Sequence, residues 1–196
     1  MIIYIQDYNG VIWVTLSEFL NELESNNICM ESLPEELVKA LNEKGLKIAT
    51  AESCTGGLIS KMITDVSGAS AVFDCGVCSY ANEIKEKVLG VSSEDLKSKG
   101  AVSKEVAMQM AEGVRKLSGA DIGISTTGIA GPTGGTDSKP VGTVYIGVST
   151  ISKNYYLLAN LALIDDAKNA TRDKIRQSAA LLAIYCGFIE AKAENY

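Results

Sequence analysis

Apolar and polar positions along this chain fall into blocks that switch between an alternating and a helical period. Ile2-Ile3-Tyr4-Ile5 and Val11-Ile12-Trp13-Val14 flank Tyr8-Asn9-Gly10, and Asn-Gly between two β-prone runs predicts a hairpin. Ser17 then caps a short helix that runs through Leu23 and ends near Asn26-Asn27. Residues 1–31 thus read as a small N-terminal extension of hairpin plus short helix. A lone hairpin is marginal in water, so this unit is expected to pack on the rest of the chain or on a second copy.

From residue 32 the pattern is that of one larger domain, 32–196. Ser32-Leu33-Pro34-Glu35 has the Ser-x-x-Glu spacing of a capping box with proline in the first turn. The helix it opens carries Leu37, Ala40 and Leu41 on one face and stops at Gly45. Residues 46–51 predict a strand, 55–65 a helix, 72–80 a strand and 82–89 a short helix. Ser93 opens another short helix, and Ser103 caps one through Leu117 that stops at Gly119. Strand 122–127 leads into a glycine-rich loop over 128–139. Strands 142–149 and 155–163 pair across Ser152-Lys153-Asn154, and a last helix covers 167–189. Alternating strands and helices that end in a hairpin predict a three-layer α/β/α sandwich with a mixed sheet.

Composition narrows the chemistry. The 196 residues include no histidine, which removes Ser-His-Asp and Cys-His machinery, HExxH zinc sites and imidazole proton shuttles. Eighteen Lys+Arg against 24 Asp+Glu leave a net charge of -6 with no polybasic stretch, so nucleic acid is not an expected partner. A few placed cations and helix N-termini still suffice for a small anion. The first residues lack the basic and apolar regions of a signal peptide, and no apolar run approaches the ~18 residues of a membrane span. A cytoplasmic protein without a membrane partner is expected. The five cysteines read as reduced thiols. Cys75 and Cys78 have CxxC spacing but fall in a strand, where i and i+3 face opposite ways, so no metal is expected.

Four segments can carry chemistry. Thr50-Ala51-Glu52-Ser53-Cys54-Thr55-Gly56-Gly57 follows a buried strand and opens a helix, at the sheet end where α/β ligands bind. Its backbone amides could hold an anion or oxyanion; an ordinary N-cap and tight turn explain it equally well. In the second, Tyr80 ends a strand and Lys85 follows in the next helix. With no histidine, a lysine kept neutral by partial burial is the natural base for a serine, and a tyrosine hydroxyl could position the proton. A solvated helix lysine is the plain alternative. The third, Ser125-Thr126-Thr127-Gly128 running to Gly135, suits phosphate or ribose contact but lacks P-loop and Rossmann spacing. The fourth pairs Arg172 with Arg176, one turn apart near a helix start. Cations there oppose the helix dipole, and either an external anion or Asp165, Asp166 and Asp173 could compensate.

Taken in order, Thr50–Gly57 (TAESCTGG), Ser79–Val91 (SYANEIKEKVLGV), Gly100–Ser103 (GAVS), Thr127–Gly135 (TGIAGPTGG) and Lys139–Val144 (KPVGTV), with the arginine pair after them, resemble the CinA C-terminal domain family, the nicotinamide mononucleotide deamidases. The resemblance covers about 34–190. It implies hydrolysis of the carboxamide of nicotinamide mononucleotide to nicotinate mononucleotide and ammonia, without cofactor or metal. It implies Ser53 as nucleophile, Lys85 as its activator with Tyr80 nearby, and Thr127 as a supporting residue. The amides of Cys54, Thr55, Gly56 and Gly57 would meet the oxyanion. Arg172, Arg176 and the loop from Thr127 and Gly128 would hold the anionic nucleotide. A homo-oligomer, a dimer foremost, is expected. Full-length CinA proteins also carry a large N-terminal domain linked to pyrophosphatase activity; residues 1–31 do not match it, so that activity is not expected. A non-catalytic mononucleotide-binding module and a nucleophilic Cys54 are the alternatives.

Overall fold

The computed structural model describes residues 2–7, 10–15, 29–163 and 171–193. A single mixed sheet runs through it. Strands β1 (Ile2–Asp7) and β2 (Gly10–Thr15) form the N-terminal hairpin, with Asp7 opposite Gly10. Along the chain follow helix α1 (Leu33–Lys44), β3 (Ile48–Glu52), α2 (Leu58–Thr64), β4 (Phe73–Cys78), α3 (Asn82–Leu89), α4 (Ser93–Ser98) and α5 (Lys104–Ser118). Strands β5 (Ile122–Gly128), β6 (Thr143–Ser149) and β7 (Asn154–Asn160) lead to the long helix α6 (Arg172–Lys192). The strand order is β2-β1-β7-β6-β5-β3-β4, with β4, β3 and β5 parallel and the remaining pairings antiparallel.

All five residues of β3 are buried, as a strand flanked by parallel neighbours and covered on both faces requires. Successive side chains point to opposite faces, and the packing follows that parity. Ile48 joins the core that α1, α2 and α6 make with one face, through Leu37, Leu41, Ile59, Ile63, Ala179 and Ala183. Ala49 and Ala51 join the second core, with Leu89 of α3 and Val106, Met110 and Val114 of α5. These are the two helical layers of a three-layer sandwich.

Several boundaries differ from expectation for physical reasons. Ser32 does not cap α1: it has helical dihedrals, and its hydroxyl donates to Cys29 O at 3.1 Å. Gly45 ends that helix at φ 65° as predicted. Helix α2 begins three residues later than expected, because Gly56 (φ 61°) and Gly57 (φ 95°) turn the chain left-handed first. Helix α4 opens at Ser93 as predicted, with Ser92 as its cap, accepting from the Asp95 amide. Ser103 caps α5 as predicted. β7 ends at Asn160 and passes into a 3-10 turn, Leu161–Leu163. The last helix starts at Arg172 under a Thr171 cap, five residues later than expected. Cys75 is half-buried and Cys78 exposed on alternate faces of β4, both as free thiols. The expected helix from Ser17 lies outside the described residues.

Candidate active site

The carboxyl end of β3 is pinned on both sides. The Ser53 amide donates to Thr126 O and the Ser79 amide to Glu52 O, each at 2.9 Å, so the ladders reach the residue at which the chain leaves the sheet. Strand parity then separates two neighbours. Glu52, in phase with Ile48 and Thr50, turns toward α2; Ser53 turns toward α3.

On the α3 side, Lys85 is fully buried, in line with Leu89 four residues on, where an apolar side chain would ordinarily sit. Its Nζ donates to Ser79 O at 2.6 Å and to Tyr80 O at 3.2 Å, and lies 3.1 Å from Ser53 Oγ. Burial lowers its affinity for a proton below that of an ordinary lysine. A neutral amine keeps two N–H groups and one lone pair. Two backbone carbonyls are in place for the N–H groups, which leaves the lone pair for the Ser53 hydroxyl.

On the other face Glu52, also fully buried, accepts five bonds. Oε2 takes the Thr55 hydroxyl at 2.7 Å and the amides of Gly57 and Ile59 at 2.8 and 3.1 Å. Oε1 takes the amide and hydroxyl of Ser60, both at 2.8 Å. The carboxylate therefore occupies the N-terminus of α2, and Gly57 is not free to meet an oxyanion. Among the described residues the amides of Cys54, Thr55 and Gly56 find no oxygen acceptor. Thr55 Oγ1 also lies 2.7 Å from Thr126 Oγ1. A carboxylate only accepts, so Thr55 donates to Glu52 and Thr126 donates to Thr55. Neither Glu52 nor Thr126 was singled out from sequence. The parity of β3 was the available signal for Glu52.

Burial pushes the Cys54 thiol up to about 11, which leaves it protonated near neutrality and a poor nucleophile. Tyr80 is exposed, and its hydroxyl accepts from Arg172 Nη2 at 3.3 Å, while only its carbonyl meets Lys85. The phenol thus stands at the rim of the site, away from the proton path expected for it. Arg172 Nη1 donates to Gly131 O at 2.8 Å, and Arg176 Nη2 to Thr55 O at 2.7 Å. Asp173 accepts from Gln177 instead of pairing with either arginine; Asp165 and Asp166 lie outside the described residues. Thr127, buried, donates to Ala101 O at 2.8 Å. Lys139 ties the same stretch to the glycine-rich loop through Lys99 O and Val102 O. Gly128 packs against β6, where a Cβ would lie 2.7 Å from Thr143 O. A cleft of about 450 Å³ between α1, α2 and α6, lined by Met30, Pro34, Met62 and Leu181, includes none of Ser53, Lys85, Glu52, Arg172 or Arg176.

The family model for the CinA C-terminal domain matches residues 30–186, which takes in both halves of this arrangement. The chain belongs to the CinA C-terminal domain family. A competence-damage inducible protein from Thermoanaerobacter pseudethanolicus is 54% identical over 154 residues, 79% of this chain and 36% of that relative. A CinA-like protein from Kosmotoga olearia is 49% identical over 154 residues, with the same two coverages. The chain thus spans little more than a third of the length of these CinA relatives. Solved structures correspond almost end to end. The competence/damage inducible protein CihA from Agrobacterium tumefaciens has a TM-score of 0.77 at 36% identity, covering 84% of this chain and 96% of that one. The competence damage-inducible protein A from Klebsiella pneumoniae also gives 0.77, at 30% identity, covering 85% and 99%. The mixed sheet of β3–β7 with its helices is therefore the CinA fold. No helix among the described residues is long and apolar enough to cross a membrane.

Proposed function

We propose that this chain hydrolyses the carboxamide of an anionic pyridine mononucleotide, nicotinamide mononucleotide, through a Ser53–Lys85 pair. The substrate comes from the family resemblance; the observation that carries the chemistry is the 3.1 Å contact between a buried lysine amine and the serine hydroxyl. Neutral Lys85 takes the Ser53 proton as Oγ bonds to the amide carbon, and the carbonyl becomes an oxyanion facing the amides of Cys54, Thr55 and Gly56. Each such donor can contribute ~3–4 kcal/mol to the transition state. Collapse breaks the C–N bond, and Lys85 returns its proton to the leaving ammonia. Water then attacks the Ser53 ester, giving a proton to Lys85, which passes it back to Oγ as the acid product leaves. A serine activated in this way requires no metal ion.

The test is incubation of the full chain with nicotinamide mononucleotide, following ammonia and the acid together. Equal amounts of the two are expected. Ser53→Ala and Lys85→Ala are each expected to lower turnover by ~1,000-fold or more. Tight binding without acid product, or full turnover by either variant, contradicts the proposal.

A further inference from the structure

The two arginines at the site stand at different depths. Arg176 bonds to the carbonyl of Thr55, and a Cβ built on Gly56 would lie 3.6 Å from the same Nη2. Arg172, one helical turn earlier, bonds to Gly131 O and the Tyr80 hydroxyl. One turn is about 5.4 Å along the axis. Arg176 is thus the inner cation, on the turn that carries Ser53, and Arg172 the outer one, exposed beside the glycine-rich loop.

We propose that Arg176 is a positioning residue of the oxyanion-binding turn, and that the distal anionic group of the substrate falls to Arg172. This rests on the amide-hydrolysis reading above. The peptide unit joining Thr55 to Gly56 is planar and trans, so its C=O and N–H point opposite ways. A guanidinium on the carbonyl fixes that plane by a charge-assisted bond. It also polarises the unit, making the Gly56 N–H a stronger donor. Glu52 holds the other end of the turn through the Gly57 amide and the Thr55 hydroxyl. Between these anchors lie the Thr55 and Gly56 amides, which have no oxygen acceptor among the described residues. In a pyridine mononucleotide the reacting carboxamide and the phosphate sit at opposite ends. A cation bonded to the nucleophile turn stands at the carboxamide end; the cation one turn outward stands where the phosphate would lie.

The test compares wild type, Arg176→Gln, Arg176→Lys and Arg172→Gln on nicotinamide mononucleotide and on its phosphate-free nucleoside. Circular dichroism melting identifies the folded variants, and the lysine variant serves if the glutamine variant does not fold. Arg176→Gln is expected to lower kcat on both substrates by roughly 10- to 100-fold with little change in KM, less than loss of a whole oxyanion donor. Arg176→Lys should recover part of it. Arg172→Gln should raise KM for the mononucleotide more than for the nucleoside. A second readout is independent of substrate. Phenylmethanesulfonyl fluoride labels serine by forming an O–S bond, releasing fluoride and passing the hydroxyl proton to Lys85. Arg176→Gln should slow labelling of the Ser53 peptide, followed by mass spectrometry. A loss in Arg176→Gln confined to KM for the mononucleotide, or Ser53 labelling at the wild-type rate, overturns the inference. Should wild type turn over neither substrate, the amide-hydrolysis reading fails by itself, and the labelling rate still decides the role of Arg176.

Discussion

Lys85 and Glu52 are buried ionisable side chains on opposite sides of one strand end, and their surroundings give them opposite tasks. Lys85 has two carbonyls and one hydroxyl around its nitrogen, an arrangement a neutral amine can use for general-base work. Glu52 has only donors around its oxygens, an arrangement suited to capping the turn and the start of α2. Glu52→Gln sets an amide NH2 against at least one of those donors, and an unmet buried donor costs about 1–3 kcal/mol. Denaturant titration is expected to show a loss of that size; unchanged stability would contradict the capping role. The cysteines give a second check. Burial holds Cys54 near 11 and raises Cys186 further still. Iodoacetamide at neutral pH should therefore leave both unmodified in the folded protein while reaching exposed Cys29 and Cys78. Rapid alkylation of Cys54 would revive the thiol as a candidate nucleophile.

At the scale of elements, the site exists because β3 delivers alternate residues to two helical layers and ends between β4 and β5. Much of this was legible beforehand: the order of strands and helices, the glycine stops at Gly45 and Gly119, and the segments holding Ser53 and Lys85. The start of α2 was not, because its cap is a glutamate five residues upstream of the first amide it accepts, across two left-handed glycines. Local capping patterns weigh serine and threonine next to the helix, so the predicted helix opened at residue 55, before the two glycines. The predicted start of α6 at residue 167 likewise lay ahead of its cap, Thr171. Close packing leaves a further mark on α5. Ser125 Oγ donates to Ala107 O at 2.6 Å, and a Cβ on Gly147 would lie 2.2 Å from the same oxygen. Gly147→Ala should force helix and sheet apart and cost about 1–3 kcal/mol, measured by denaturant unfolding. A neutral or stabilising result would mean that α5 can shift without strain.

Across the whole molecule, an acidic chain of net charge -6 gathers two arginines from the first turns of α6 at the mouth of its candidate site. Neither pairs with a carboxylate among the described residues. That local reversal of sign suits an anionic substrate better than a surface ion-pair role. The absence of histidine has the same reach: under the proposed mechanism, the buried amine of Lys85 sets the pH at which the serine is activated. Below the lysine's lowered pKa the ammonium cannot accept the Ser53 proton; above it the amine can. The most direct measurement is therefore ammonia release from nicotinamide mononucleotide by the full chain, from about pH 6 to about pH 10. The expected kcat/KM rises with loss of a single proton at a pH below the ordinary lysine value of about 10.4, and Ser53→Ala shows no such limb. A profile flat over that range, or turnover that persists in Ser53→Ala, would contradict a serine activated by Lys85.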